Sequence, residues 1–250
     1  MPYIGTNIFL GNEFIGQTYL GEDRIEVSPF DVVGPSIVTN GLILYLNSTI
    51  AASYPGSGTS WFNLVSGQAI TASLVNGVTY KDNYLQTNGT NQRIDIPATS
   101  LDYRSSNSTT FCITRYADTS GNGRMLSSAN TTTSNWLLGH FGDTTLNYYP
   151  NGTVQLNNGP NDTNFRMYAG TGDFAGDKWS FYVNGAANTL NSTAGTNGPQ
   201  GFTIGCNNNA GAQTEFSSGS VAVVMLYNRV LSADEISQNY NALKSTVGLT

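Results

Sequence analysis

Carboxylates carry the most direct potential for chemistry in this 250-residue chain, because glycoside hydrolysis requires two of them about 5–9 Å apart. On a β-strand this spacing corresponds to positions i and i+2, or to neighbouring strands. The sequence has no Glu-x-Asp-x-x-Glu run, and Asp173 and Asp177 flank a short Phe-Ala-Gly turn, where we interpret them as hairpin caps. Alternation in the run RIDI places Asp95 on an outer face, opposite two isoleucines. We therefore predict no catalytic residue.

His140 is the chain's single histidine and lies beside Gly139. A Ser-His-Asp arrangement needs three groups that converge in space, so we interpret His140 as a strand-end histidine with structural hydrogen bonds.

Cys112 and Cys206 each lie in strand-like surroundings and are predicted to be buried free thiols. The alternative, a disulfide, would require their strands to be neighbours. No metal site or cofactor is expected, because neither cysteine has a nearby Cys or His.

Aromatic rings beside amides are the residue types that bind sugars, since ring faces stack and amides bond to hydroxyls. The candidate ligand-binding residues are Trp136, Asp143, Tyr148, Tyr149 and Asn207. The alternative is core packing for Trp136 and one of the two tyrosines, because adjacent strand residues face opposite ways. Trp61 and Trp179 are interpreted as core residues.

The composition of the chain limits the kinds of partner that it can bind. Only 10% of the residues are charged and the net charge is −6, which disfavours nucleic acid as a partner because phosphate binding needs clustered Lys and Arg. No apolar run approaches the roughly 20 residues of a membrane span, and the N terminus lacks a secretory pattern. We expect a protein that does not insert into membranes and is made in a cytosol.

Short aromatic and β-branched runs follow one another along the chain, separated by Gly, Asn and Ser turns. The predicted strands are 41–46, 111–116, 136–139, 146–149, 153–156, 165–168, 179–183 and 221–227. Asn-Gly pairs at 151–152, 158–159 and 184–185 are strong turn signals. This spacing predicts an all-β sandwich of antiparallel strands.

One helix is predicted near the C terminus. Ser232 and Glu235 form a capping box pattern, and Leu231 and Ile236 have the spacing of a hydrophobic staple. Ile236, Tyr240 and Leu243 recur at i, i+4 and i+7, so the helix should begin at Ala233, end near Lys244 and pack against the sandwich.

Residues 1–35 form an N-terminal arm that ends at Gly34-Pro35, and residues 36–250 form one domain. The arm holds an imperfect ten-residue repeat, in which IFLGNE at 8–13 aligns with TYLGED at 18–23. Such a repeat supplies two short strands that cannot bury enough surface alone, so we expect the arm to dock on another polypeptide. The expected docking residues are the apolar ones of the repeat: Ile8, Phe9, Leu10, Phe14, Ile15, Tyr19, Leu20 and Ile25.

Several segments resemble laminin G-like, concanavalin A-type lectin/glucanase sandwich domains. They are GLILYL at 41–46, SYPGSG at 53–58, Trp61 with Asn63 and Leu64, YVNG at 182–185 and YNRVLSADEI at 227–236. The resemblance implies a curved two-sheet jelly roll completed by the last long strand and the helix. Family members often carry Asp where this chain has Asn47 and Asn63, which argues against a calcium site here because calcium favours charged oxygen ligands.

Domains of this kind occur in viral and phage structural proteins, and the arm repeat is similar to short repeats of phage virion proteins. The resemblance implies a non-enzymatic virion structural protein of a tailed phage: an arm-anchored capsid decoration or a fibre-like module on the virion surface. Its expected partners are capsid or tail proteins and further copies of itself, with a trimer as the expected assembly. The alternative is a tail or surface adhesin that recognises host glycans.

Overall fold

The computed structural model describes residues 36–119 and 123–249, together with four short strands near the N terminus. The chain forms two compact units, Met1–Pro35 and Ser36–Thr250. No helix among the described residues combines the length and the apolar character that a bilayer crossing requires.

The first unit contains two pairs of antiparallel strands. Strands β1 (Ile8–Leu10) and β2 (Glu13–Gly16) pair with Phe9 opposite Phe14. Strands β3 (Tyr19–Leu20) and β4 (Asp23–Arg24) form the second pair. Each copy of the repeat therefore forms two paired strands, and the unit has four described strands instead of the two predicted. Seven of the expected docking residues lie in β1, β2 and β3, and Ile25 lies outside the described residues.

The second unit is built from short strands, as the turn spacing predicts, followed by one helix. In chain order the strands are β5 (Leu42–Asn47), β6 (Ser60–Phe62), β7 (Thr71–Val75), β8 (Thr79–Lys81), β9 (Tyr84–Asn88), β10 (Arg93–Ile96), β11 (Ser108–Tyr116), β12 (Leu126–Ser127), β13 (Trp136–Phe141), β14 (Thr144–Pro150), β15 (Gln155–Asn158), β16 (Arg166–Asp173), β17 (Lys178–Val183), β18 (Ala186–Ser192), β19 (Phe202–Ile204), β20 (Asn207–Asn209), β21 (Ala212–Thr214) and β22 (Ser218–Tyr227). A 3₁₀ turn spans Ala98–Ser100, and helix α1 spans Ala233–Leu243.

All of these strands except β20 and β21, which pair with each other, form two antiparallel sheets. The first sheet has the order β15-β14-β13-β12-β19-β10-β7-β6, and the second has the order β18-β17-β16-β11-β22-β9-β8, with β5 also pairing with β22. The predicted all-β jelly-roll sandwich with one C-terminal helix is confirmed. The central strand β22 carries the longest apolar run of the sequence, and it is buried on both faces.

The inter-sheet core is rich in aromatic side chains. Trp61 and Trp179 are fully buried there, as the sequence predicts. Tyr148 of the first sheet stacks on Phe181 of the second, with ring centroids 6.1 Å apart. Aromatic rings bury large areas, so a few of them close the space between two sheets.

A second apolar layer, the helix-covered layer, lies between the outer face of the second sheet and α1. Ile236 and Leu243 of the helix are buried against Phe111, Met167 and Met225. The predicted capping box is present, since Ser232 Oγ accepts from Glu235 N and a Glu235 carboxylate oxygen accepts from Ser232 N. Arg229 pairs with Glu235 at 2.6 Å, and its hydrogen bonds lower the pKa of that carboxyl to about 2.

A buried polar triangle, the Asn239 clasp, ties the start of the second unit to its end. Val38 N donates to Asn239 Oδ1 at 2.8 Å, Asn239 Nδ2 donates to Tyr227 Oη at 3.0 Å, and Tyr227 Oη donates to Val38 O at 2.8 Å. All three residues are buried. Every polar group of the triangle therefore has a partner, as burial requires.

Candidate functional site at one end of the sandwich

Two of the predicted binding residues lie in the inter-sheet core. Trp136 and Tyr148 are each 1% exposed, and their rings meet edge to face at 6.0 Å. Neither ring has a face open to a ligand, which corrects the expectation of a platform that includes them. The physical reason is the alternation of the strands: both side chains point inward, where a large ring fills the space between the sheets.

Tyr149 and Asp143 remain accessible but lie far apart. Tyr149 is half-buried on the outer face of the first sheet, opposite Leu137 in the register of β13 and β14. Asp143 is exposed in the turn before β14. Six residues of extended chain separate them, about 20 Å at ~3.3 Å per residue, so they do not form one site.

Asn207 begins a small hairpin, β20–β21 (Asn207–Thr214), which follows β19 of the first sheet. Thr131 Oγ1 donates to Asn207 Oδ1 at 2.8 Å and Thr131 N donates to Asn208 O at 2.8 Å. Ser127 Oγ donates to Cys206 O at 2.9 Å. Ser127 has no exposed surface although it points outward from β12. No pattern in the sequence predicts this hairpin.

Arg124 anchors the far end of the hairpin segment. Its Nε lies 2.6 Å from a Glu215 carboxylate oxygen and its Nη1 donates to Asn135 Oδ1 at 2.6 Å. The guanidinium lies 5.4 Å from the Phe141 ring centroid. Arg124 is 7% exposed. A buried charge needs stabilising contacts, which the Glu215 carboxylate and the face of the Phe141 ring provide.

A polar pocket of about 520 Å³ lies among loops at one end of the sandwich. It is lined by Asp102, Arg104, Ser105, Ser106, Thr133 and Asn197. Four of these six residues are exposed, so the pocket is an open depression and not an enclosed cavity. Thr133 is two residues from Thr131, so the loop that lines the pocket also holds Asn207. Asn207 itself does not line the pocket.

Asp102 and Arg104 form the charged side of the pocket. Arg104 donates from Nε and Nη2 to the two carboxylate oxygens, at 2.9 and 2.7 Å. These hydrogen bonds lower the pKa of Asp102, which keeps the carboxylate ionised. Spacing i, i+2 in extended chain puts both side chains on one side. The pair offers acceptors and donors side by side, which suits adjacent hydroxyl groups of a sugar.

Carboxylates singled out for chemistry have structural partners. Asp173 Oδ1 accepts from Gly176 N at 3.0 Å, which confirms its role as a hairpin cap. Asp95 is half-buried and pairs with Arg93 at 2.9 Å. These contacts are those of turn and surface residues.

His140 lies fully buried between the sheets. Its Nδ1 lies 3.1 Å from Thr114 Oγ1 and its ring packs edge to face on Tyr168 at 5.3 Å. Burial, with the nearby Arg166, lowers the pKa of His140 to about 3. The prediction of a hydrogen-bonded structural histidine is confirmed.

Cys112 and Cys206 are buried free thiols, as predicted. Cys112 belongs to the second sheet and Cys206 follows β19 of the first. Burial raises the pKa of each thiol to about 12. Both are therefore protonated at neutral pH and poor nucleophiles.

The two asparagines at family Asp positions have structural roles. Asn63 Oδ1 accepts from Tyr45 N at 2.8 Å and its Nδ2 donates to Ile43 O at 3.0 Å. Asn47 Oδ1 accepts from Thr49 N at 3.0 Å. A carboxylate could not supply the Asn63 donor. Among the described residues, His, Cys, Asp and Glu side chains form no group of three that could hold a metal ion.

Comparisons with known proteins agree with the fold. A family model described as Concanavalin A-like lectin/glucanases superfamily matches residues 88–237. Trypanosoma rangeli sialidase superposes with a TM-score of 0.54 at 19% identity, over 84% of this chain and 34% of the sialidase chain. The botulinum neurotoxin serotype G binding domain gives 0.56 at 15% identity, over 80% and 50%. The binding domain of Paraclostridial Mosquitocidal Protein 1 gives 0.57 at 13% identity, over 81% and 52%.

Among curated proteins none gives a significant match. This chain spans between 34% and 52% of the structures named above. At such low sequence identities, the superpositions show a shared fold alone. The family match is broader evidence, because it runs from β9 into α1 and covers more than half of the chain. The chain belongs to the concanavalin A-like lectin/glucanases superfamily.

Proposed function

We propose that this protein is a non-enzymatic virion structural module of a tailed phage. Its first unit joins it to the particle, and its sandwich stands on the virion surface. The observation that supports this proposal is the contrast between the two units. The sandwich buries an extensive core, whereas the first unit contains two-stranded pairs, which are marginally stable alone.

Strand addition is the proposed mode of attachment. A two-stranded pair has unpaired main-chain donors and acceptors along its outer edges, and a sheet edge of another chain can complete them. Capsid or tail proteins, and neighbouring copies in a trimer, are the proposed partners.

Deletion of residues 1–30 tests the attachment. We expect the remaining chain to melt cooperatively and to be absent from assembled particles, because the deleted residues supply the docking strands. Full-length protein is the control, with particle incorporation measured by quantitative immunoblot. Incorporation of the shortened chain at the full-length level would contradict the proposal, and loss of cooperative melting would make residues 1–30 part of the sandwich's stability.

A second candidate function is that of an adhesin that binds host glycans. The polar pocket of Asp102 and Arg104 favours it, since its lining presents charged and hydroxyl groups to a polyol. We expect Arg104→Gln to weaken glycan binding about tenfold, as for the loss of a charge-assisted hydrogen bond. Arg93→Gln on the outer face of the first sheet is the matched control. Equal binding by both variants would contradict a glycan site in the pocket.

We infer no hydrolase activity for this chain, although sialidases share its fold. The support is the structural use of the carboxylates that were considered for catalysis, such as Asp95 and Asp173. We expect no turnover of a fluorogenic sialoside by the purified chain. Turnover that depends on one of its carboxylates would overturn this inference.

A further inference from the structure

Main-chain hydrogen bonds hold the pocket loop, residues 102–106, in place. Tyr103 N donates to Pro199 O at 2.9 Å, and the Tyr103 side chain packs against the inter-sheet core. Alternation along the extended chain therefore turns Asp102 and Arg104 away from the core. Arg104 O also accepts from Gly198 N at 3.3 Å. The polar side chains of the pocket thus start from fixed main-chain positions, which reduces the ordering cost of binding a ligand.

The charge of the pocket is balanced within it. Both carboxylate oxygens of Asp102 accept hydrogen bonds from Arg104, at 2.9 and 2.7 Å, so each of the two charges is compensated by the other. The other lining residues are uncharged: Ser105, Ser106, Thr133 and Asn197. An acidic ligand would meet the Asp102 carboxylate without a free cation to oppose it. Hydroxyl groups, in contrast, can accept from the guanidinium and donate to the carboxylate, so the lining favours a neutral polyol.

Phe174 is an accessible aromatic side chain. Among the described residues, the exposed aromatic side chains are Phe174 and Phe62, at 39% and 44%. Phe174 lies in the turn between β16 and β17, where Asp173 Oδ1 accepts from Gly176 N at 3.0 Å. This hydrogen bond closes the turn, which leaves the Phe174 ring open to a ligand.

The turn that carries Phe174 lies beside the pocket loop. In the register of β11 and β16, Ser108 lies opposite Gly172, so the residues that precede one and follow the other are neighbours. Phe174 N donates to Asn107 Oδ1 at 2.8 Å, and Asn107 directly follows Ser106, which lines the pocket. Bond lengths along this path place the Cα atoms of Phe174 and Ser106 within about 12 Å of each other. One oligosaccharide can therefore reach both the aromatic ring and the polar groups.

We propose that the pocket and Phe174 together bind a neutral glycan. A hexose ring lies with its apolar face on the Phe174 ring, while its hydroxyls, or those of the adjoining sugar, bond to Asp102 and Arg104. This assignment rests on the proposed glycan-binding function and adds to it the class of sugar and a further contact residue. The compensated charge of Arg104 is the reason for a neutral sugar, and the exposed Phe174 ring is the reason for a stacked one.

Binding of the full-length protein to a printed array of neutral and acidic glycans tests the proposal. We expect neutral glycans to bind, and Phe174→Ala to weaken their binding about five- to tenfold, because the stacking surface is lost. Phe174→Trp keeps an aromatic face and should retain the affinity. Phe62→Ala is the matched control, since it removes a similarly exposed ring from the edge strand β6, and it should leave the affinity unchanged.

Asp102→Asn tests the charge argument separately. This substitution removes the negative charge that compensates Arg104, so the variant should bind acidic glycans on the same array about tenfold more tightly than the unmodified chain does. A loss of structure alone would not produce such a gain. An Asp102→Asn chain with an unchanged melting temperature and no gain for acidic glycans would contradict the charge argument.

The possible results distinguish the sugar class from the wider function. Binding confined to acidic glycans overturns the neutral assignment but leaves glycan binding in place. Binding of neutral glycans that Phe174→Ala leaves unchanged, at an unchanged melting temperature, overturns the stacking contact. Binding of no glycan on the array overturns this inference together with the adhesin function, whereas the docking role of residues 1–35 is measured independently by particle incorporation.

Discussion

Two elements added to the sandwich, helix α1 and the β20–β21 hairpin, are held to it in opposite ways. On the second sheet, α1 covers apolar side chains and forms the helix-covered layer. Beside the first sheet, the β20–β21 hairpin is held by hydrogen bonds from Thr131 to Asn207 and Asn208. Apolar burial contributes more free energy than exchanging water for protein hydrogen bonds. We therefore expect the helix to contribute more than the hairpin to the free energy of unfolding.

Truncation under the helix should produce the largest loss of stability. Ile236→Ala removes a fully buried side chain and is expected to lower the free energy of unfolding by about 2–5 kcal/mol. Urea denaturation followed by tryptophan fluorescence measures it. A loss below that of the hairpin variants would contradict the comparison of the two elements.

Acid should destabilise the protein through the inter-sheet core. His140 is neutral in the folded state, with its pKa lowered to about 3 by burial, whereas the unfolded chain binds a proton near pH 6.5. Below pH 6.5 the unfolded state therefore binds more protons, and stability falls as pH falls, by about 2 kcal/mol between pH 7 and 5.

The carboxyl groups of Asp102 and Glu235 contribute little in that range, because hydrogen bonds from Arg104 and Arg229 lower their pKa values in the folded state. Urea denaturation at a series of pH values measures the slope. His140→Gln should flatten it, since the chain has no other histidine. An unchanged slope in this variant would contradict the assignment.

Loss of the helix cap should have a smaller effect than loss of the helix's apolar contacts. Ser232→Ala removes the hydroxyl that accepts from Glu235 N and should cost about 1 kcal/mol. Circular dichroism during thermal unfolding can measure it, with Ser237→Ala within the helix as a control. A cost equal to that of Ile236→Ala would show that the cap, and not the apolar layer, holds the helix.

The smallest effect is expected on the hairpin side. Thr131→Val removes the hydroxyl bonds to Asn207 and Asn208 and should lower the free energy of unfolding by about 1 kcal/mol or less. Hydrogen exchange should accelerate at hairpin amides, while amides of α1 remain unchanged. Equal acceleration at both elements would mean that they open together.

Local patterns were sufficient to predict the helix and eight of the eighteen described strands of the second unit. Ser232 and Glu235 mark the helix start because capping depends on neighbouring residues alone. Alternation also predicted that adjacent aromatic residues point apart, but it did not determine which face is the core. For this reason the sequence alone does not distinguish ligand binding from core packing for Trp136 and Tyr148, and their burial decides in favour of the core.

Features that depend on distant contacts were not predicted. The pocket combines residues near 102, 133 and 197, whose approach follows from the topology of the two sheets. The β20–β21 hairpin has no apolar sequence pattern, because hydrogen bonds from Thr131 hold it in place. The guanidinium of Arg115 lies over the rings of Tyr84 and Phe165. The sequence does not predict these contacts, because both rings are far from Arg115 in the chain.

The Asn239 clasp has a mechanical consequence for the N-terminal attachment that we propose. The clasp fixes Val38 to Tyr227, and the following strand β5 runs antiparallel to β22, the central strand of its sheet. Under that attachment, tension that enters the domain at residue 36 reaches the clasp first and then the main-chain bonds that join β5 to β22. A module built in this way resists extraction under load, with a lifetime set by its unfolding rate.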